Sequence, residues 1–190
     1  MVLRNAGDIP LRCSIDNDID LAVHPEDMSV AHKILIECLP QHSKDAQSKE
    51  SLLYGAKPHD HYKLPQLDLH IDVVQGLYYT SPNNSEKVAI ATALQESLFN
   101  RRRFVYDLWH FIPHEIDTFI HILAHALFDK TTISPFYKMQ LEFMVGFLDK
   151  EQLKSELSLI LYSFAGKAID LICAGRTEEL HQEYKSFVGY

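Results

Sequence analysis

Apolar and polar positions alternate with a period of two over Ile15-Asp16-Asn17-Asp18-Ile19-Asp20-Leu21-Ala22-Val23, and again over Leu67-Asp68-Leu69-His70-Ile71-Asp72-Val73-Val74. Successive side chains on a strand point to opposite faces, so each stretch predicts a strand with one apolar face and one acidic face. Between them the period lengthens. Pro25-Glu26-Asp27 puts acids in a first helical turn, and Met28, Ala31, Ile34, Leu35 and Cys38 recur at helical spacing until Leu39-Pro40 closes the run. Met1 to Arg4 reads as a short strand ending at the turn-prone Asn5-Ala6-Gly7-Asp8. Residues 41–50 are polar and predict a loop, and Ser51 to Tyr54 predicts a strand joined to Leu67–Val74 through Gly55-Ala56-Lys57-Pro58.

After Ser81-Pro82-Asn83-Asn84 the patterning changes. Ser85-Glu86-Lys87 opens a helix expected to reach Asn100, and the aromatic, β-branched stretch from Arg103 to Ile112 predicts a strand or an extended connection. Helical patterns then cover 114–129, 134–147, 150–173 and 177–187, with Gly175 as a stop. Phe136, Tyr137, Phe143, Phe147 and Phe164 fall at helical spacing and read as core. The expected fold class is α/β (α+β): an α/β core over 1–82 with a mixed sheet, and a mainly helical part over 83–190 that closes a cleft against it.

The chemistry lies on the acidic faces. Asp18 and Asp20 are two apart and would point the same way, while Ile19, Leu21 and Val23 point into a core. Two carboxylates on one side and a third from a neighbouring strand make a site for a hard cation such as Mg²⁺. The third is Asp72 or Asp68; both share a strand face with His70, so periodicity does not choose between them.

A strand, an Asp-x-Asp pair, a helix and a later acidic strand resemble the minimal nucleotidyltransferase fold of the polymerase-β-like superfamily. An uncharacterised bacterial branch of it is similar over nearly the whole chain, through Leu3-Arg4-Asn5, Pro10, Asp18 to Val23, Ile71 to Leu77, Asp129-Lys130-x-x-Ile133-Ser134 and the helices after Pro113. The resemblance implies Asp18, Asp20 and Asp72 (or Asp68) as ligands of two Mg²⁺ ions (Mn²⁺ being the alternative). It implies Arg4, Asn5 and Lys130 as phosphate ligands, and an NTP, ATP among them, as substrate. The implied reaction moves a nucleoside monophosphate to a hydroxyl or phosphate acceptor (a small molecule, sugar or protein) and releases pyrophosphate. The chain departs from the pattern in two ways: no Gly-Ser pair precedes Asp18, where backbone amides would cradle phosphates, and no helix precedes the first strand. A weakened nucleotide-binding or regulatory module, or a toxin–antitoxin component, is therefore the alternative.

Bulk properties narrow the setting. A chain of 190 residues with 46% hydrophobic content carries a substantial core, and a formal net charge of −8 argues against general nucleic-acid binding. Cys13, Cys38 and Cys173 are widely spaced with no CxxC, which suits reduced thiols in the cytoplasm. No apolar run is long enough for a membrane span, and Met1-Val2-Leu3-Arg4-Asn5 does not read as a signal peptide.

Other candidates carry a plain reading beside the functional one. Arg101-Arg102-Arg103 could meet phosphates but reads better as a solvated helix end. His114, His121 and His125 share one helical face, with no H-E-x-x-H, and read as polar-face residues or as a lining of the cleft. Arg176 and His181 match the loose Arg-x4–6-His motif of helical HEPN ribonucleases. Tyr54, Tyr78 and Tyr79 are candidates for stacking on a base. Neither a Walker A motif, nor GxGxxG, nor G-x-S-x-G is present.

Overall fold

The computed structural model describes residues 1–3, 18–38, 43–45, 52–53, 59–64, 68–80 and 87–189. Strand β1 (Ile19–Val23) leads through a 3₁₀ turn at Pro25–Asp27 into helix α1 (Met28–Cys38). Three more strands complete a mixed sheet: β2 (Ser43–Asp45), β4 (His59–Leu64) and β5 (Leu69–Gln75), with β3 (Leu52–Leu53) lying elsewhere. The order is β1-β5-β4-β2, with β1 parallel to β5 and the other pairings antiparallel. The alternation seen in the sequence sets its two faces. Ile19, Leu21 and Val23 pack with Tyr62, Ile71 and Val73 against Met28 and Leu35 of α1. On the other face Ala22 and Val74 join the main core.

Two strands of this sheet escape the hydrophobic pattern. β2 lies where a polar loop is expected. β4, His-Asp-His-Tyr-Lys-Leu, offers one fully buried aromatic, Tyr62, which is 0% exposed. Such strands are held by ladder hydrogen bonds to better-patterned neighbours, so tertiary pairing overrides weak local signals. At the front of the chain, the short strand expected from Met1 is reduced to a bridge between Val2 and Leu21.

A second sheet has the order β3-β7-β6, with β6 (Tyr78–Thr80) antiparallel to β7 (Lys87–Ala89) and β3 parallel to β7. The helix expected from Ser85 therefore begins later, as α2 (Thr92–Asn100). Val88, β-branched, sits in register with Tyr79, and that pairing takes 87–89 into the sheet. The expected boundary near residue 82 lies outside the described residues. One core cluster nevertheless contains Leu77 and Tyr79 together with Leu98, Phe119 and Leu157.

The stretch from Arg103 to Ile112 is a hairpin of β8 (Arg103–Val105) and β9 (His110–Ile112), turning through Trp109 at φ 55°. Helix α3 (Glu115–Ala124) continues into a π-helical turn, His125–Asp129. Then come α4 (Pro135–Val145), α5 (Lys150–Leu161), α6 (Phe164–Cys173) and α7 (Leu180–Val188). The single helix expected over 150–173 is broken at Tyr162, whose φ is 52°. The break lets Leu161 and Phe164, both at most 1% exposed, enter the same core from two helices. After α6, Gly175 takes φ 71° while Arg176 N–H donates to Leu171 O at 2.9 Å, the double-bonded stop that glycine permits.

The aromatic stripe of α4 corrects an expectation. Phe136, Phe143 and Phe147 are 50%, 73% and 55% exposed, and only Phe164 of the expected set is fully buried. α4 buries Leu141 and Val145 instead. Helical spacing shows that residues share a face, not that the face turns inward.

Arg101 stands between α2, α3 and α5. Its Nε and Nη2 donate to Asp117 at 3.1 and 2.5 Å, and its Nη1 and Nη2 donate to Glu156 at 2.5 and 2.6 Å. Asp117 is 4% exposed. Burial pushes its carboxyl above the ordinary aspartate value, against the pull of the guanidinium. Burial also opposes ionisation of Glu156, but Arg101 and Gln152 together hold that carboxyl below its usual range. No helix among the described residues is long and apolar enough to cross a membrane. The architecture is α+β, with a mixed sheet followed by a mainly helical part.

Candidate metal centre

The parallel register of β1 and β5 sets Asp20 opposite Asp72, and Asp18 lies two residues before Asp20. The inner face of β1 thus reads Asp18, Asp20, Ala22, and that of β5 reads His70, Asp72, Val74. Along one face of the sheet the side chains pass from charged to apolar, and the apolar end enters the main core. At the charged end, one ligand atom each from Asp18, His70 and Asp72 lies within 4.8 Å of the others. His70 Nε2 is 2.9 Å from Asp72 Oδ1, and the two side chains are only 17% and 13% exposed.

Asp20 shares the face, but the atoms that converge belong to Asp18, His70 and Asp72. Asp68 is not on the strand. It occupies the turn before β5 at φ 49° and is exposed, so the period-two pattern carried one residue too far. His70 is the member that the sequence reading left without a role. Its i, i+2 spacing from Asp72 was the available signal. Arg4 and Asn5, named as phosphate ligands, lie outside the described residues, as do Cys13 and Tyr54. Lys130 is exposed beyond the π-helical turn, and its carbonyl is hydrogen-bonded by His181 Nε2 at 3.0 Å.

The remaining candidates have structural employment. Tyr79 is 6% exposed, with its hydroxyl 2.8 Å from His121 Nδ1, so it is built into the core rather than presented to a base. His121 stacks on His125 at 6.1 Å, and His125 Nδ1 is 3.0 Å from Asp129 Oδ2. Asp129 Oδ1 accepts from Thr80 N–H at 2.8 Å and from Thr80 Oγ1 at 2.7 Å. This face of α3 therefore fastens the helical part to β6. His114 instead caps α3, accepting from Ile116 N–H.

The arginine triplet follows the end of α2 as expected, with Arg102 and Arg103 exposed, and only Arg101 is drawn inward. Arg101 joins the buried carboxylates, Arg102 donates to Phe99 O and lies 5.1 Å over the Phe111 ring, and Arg103 meets Glu115 at 2.5 Å. Arg176 grips Glu179 at 2.7 and 2.6 Å, whereas His181 turns to Lys130 O. A scan against protein-family models, a search of curated proteins and a search of solved structures each find no match to this chain.

Proposed function

We propose that the chain is a divalent-metal-dependent nucleotidyltransferase, using Mg²⁺ or Mn²⁺ and an NTP. The observation that carries the reading is the convergence of Asp18 and Asp72 with His70 on the face that Asp20 shares. Two carboxylate oxygens and an imidazole nitrogen are a donor set suited to a divalent ion. When bound, such an ion lowers the charge repulsion met by a hydroxyl attacking the α-phosphorus. Asp18 just before β1 and Asp20 on it would hold the ion. Asp72, oriented by His70, accepts the proton of the acceptor hydroxyl. The new bond forms at the α-phosphorus, the α–β phosphoanhydride bond breaks, and pyrophosphate leaves with the electron pair. Three widely spaced cysteines support a cytoplasmic setting.

The absence of a Gly-Ser pair before Asp18 favours a second reading, a nucleotide-binding module without turnover. Calorimetric titration with each NTP, with and without Mg²⁺ or Mn²⁺, tests both against the Asp18→Ala/Asp20→Ala variant. Metal-dependent binding lost in the variant supports the site, and pyrophosphate release then separates enzyme from module. NTP binding that is unchanged in the variant overturns both.

A further inference from the structure

We propose that the inner face of the β1–β5 pair selects a nitrogen-binding transition ion, Mn²⁺ or Zn²⁺, over Mg²⁺, with His70 as a direct ligand. The inference rests on the metal site proposed above and specifies its ion.

Two observations support it. First, the group that converges with Asp18 and Asp72 is an imidazole. Mg²⁺ favours an all-oxygen octahedron, whereas imidazole suits the later first-row ions. Second, His70 Nε2 and Asp72 Oδ1 are 2.9 Å apart. Two ligands on adjacent corners of an octahedron with ~2.1 Å bonds are separated by about 3.0 Å, so the pair already has the bite of a chelate.

The test is calorimetric titration of the full chain with Mg²⁺, Mn²⁺ and Zn²⁺, without nucleotide, for the wild type and for His70→Ala and His70→Gln. Mn²⁺ electron paramagnetic resonance serves as a second readout, and thermal melting without metal checks folding. The expected wild type binds Mn²⁺ at least ~10-fold more tightly than Mg²⁺, and Zn²⁺ more tightly still. Both His70 variants are expected to lose roughly 10–100-fold in Zn²⁺ and Mn²⁺ affinity with little change for Mg²⁺. Equal Mg²⁺ and Mn²⁺ affinities in the wild type, or folded His70 variants with unchanged preference, overturn the proposal. Because no nucleotide is present, the ion preference stands or falls separately from nucleotidyl transfer. If turnover runs on Mg²⁺ with no preference for Mn²⁺, the inference fails and the enzyme reading survives.

Discussion

In the helical part, Arg101 lies between Asp117 and Glu156, so each sequestered charge meets its opposite at hydrogen-bonding distance. On the inner face of the β1–β5 pair, Asp18 and Asp72 meet each other beside an imidazole. The first cluster is complete with what the chain supplies, and it ties α2, α3 and α5 together. The second gathers two carboxylates around one imidazole, His70 Nε2 lying 2.9 Å from Asp72 Oδ1, an arrangement that a bound cation would stabilise further. Matched charge marks a structural joint, whereas carboxylates gathered on well-patterned strands are the arrangement on which the metal site is proposed.

Breaking the matched cluster has the largest expected effect. Arg101→Ala leaves Asp117 buried without its guanidinium and is expected to cost about 3–5 kcal/mol in denaturant unfolding. Asp18→Asn, by contrast, relieves repulsion and is expected to leave the melting temperature of the metal-free protein unchanged or raised. A large loss of stability in Asp18→Asn, with none in Arg101→Ala, would reverse the comparison.

A middle-sized effect is expected at the end of β5. Gly76 adopts φ +75°, and a Cβ there would sit 2.1 Å from Gln95 Oε1. That oxygen accepts from Leu77 N–H at 2.8 Å, fastening the sheet to α2. Gly76→Ala is expected to cost ~1–3 kcal/mol through backbone strain and loss of this clamp, again by denaturant unfolding. Metal affinity, measured by titration, should change little, because the clamp lies at the apolar end of the sheet.

The smallest effect sharpens the comparison by pH. Glu156 has a folded pKa below its ordinary value of 4.5. Its contribution is therefore complete above that value and is lost as the pH falls through the lower folded one. The stability gap between the wild type and Glu156→Gln is expected to be constant from neutral pH down to about 5 and to close below 4. A gap that is the same at pH 3 and pH 7 would show that the contact works by packing rather than by charge.

The parts legible in the sequence are those with a strong local period. β1 and β5 alternate cleanly, so both strands and the shared face of Asp18 and Asp20 could be read directly, whereas the choice of Asp72 over Asp68 comes from the strand's start and the register. The stop at Gly175 was equally plain. β4 was not, because four of its six residues, His59, Asp60, His61 and Lys63, are polar, and it exists through its neighbours. The split at Tyr162 was hidden because a chain reversal without glycine or proline has no compositional mark. At the site, His70 was visible but unemployed. Only the register that seats β1 beside β5 shows that its ring meets Asp18. The exposure of Phe136, Phe143 and Phe147 was illegible for a different reason: a period gives the relative phase of side chains, and the direction of the core comes from packing.

The parallel pairing of Ile19 with Ile71 also has a kinetic meaning. Bringing these strands together closes a loop of about fifty residues, whereas the helical hairpin of α5 and α6 forms from neighbours in the chain. Local contacts form early and distant ones late, so the helices assemble first and the carboxylate face comes into being among the last events of folding. An ion bound there would act as a latch on the closed loop: it would slow reopening of the β1–β5 seam while leaving the rate at which the helices assemble untouched.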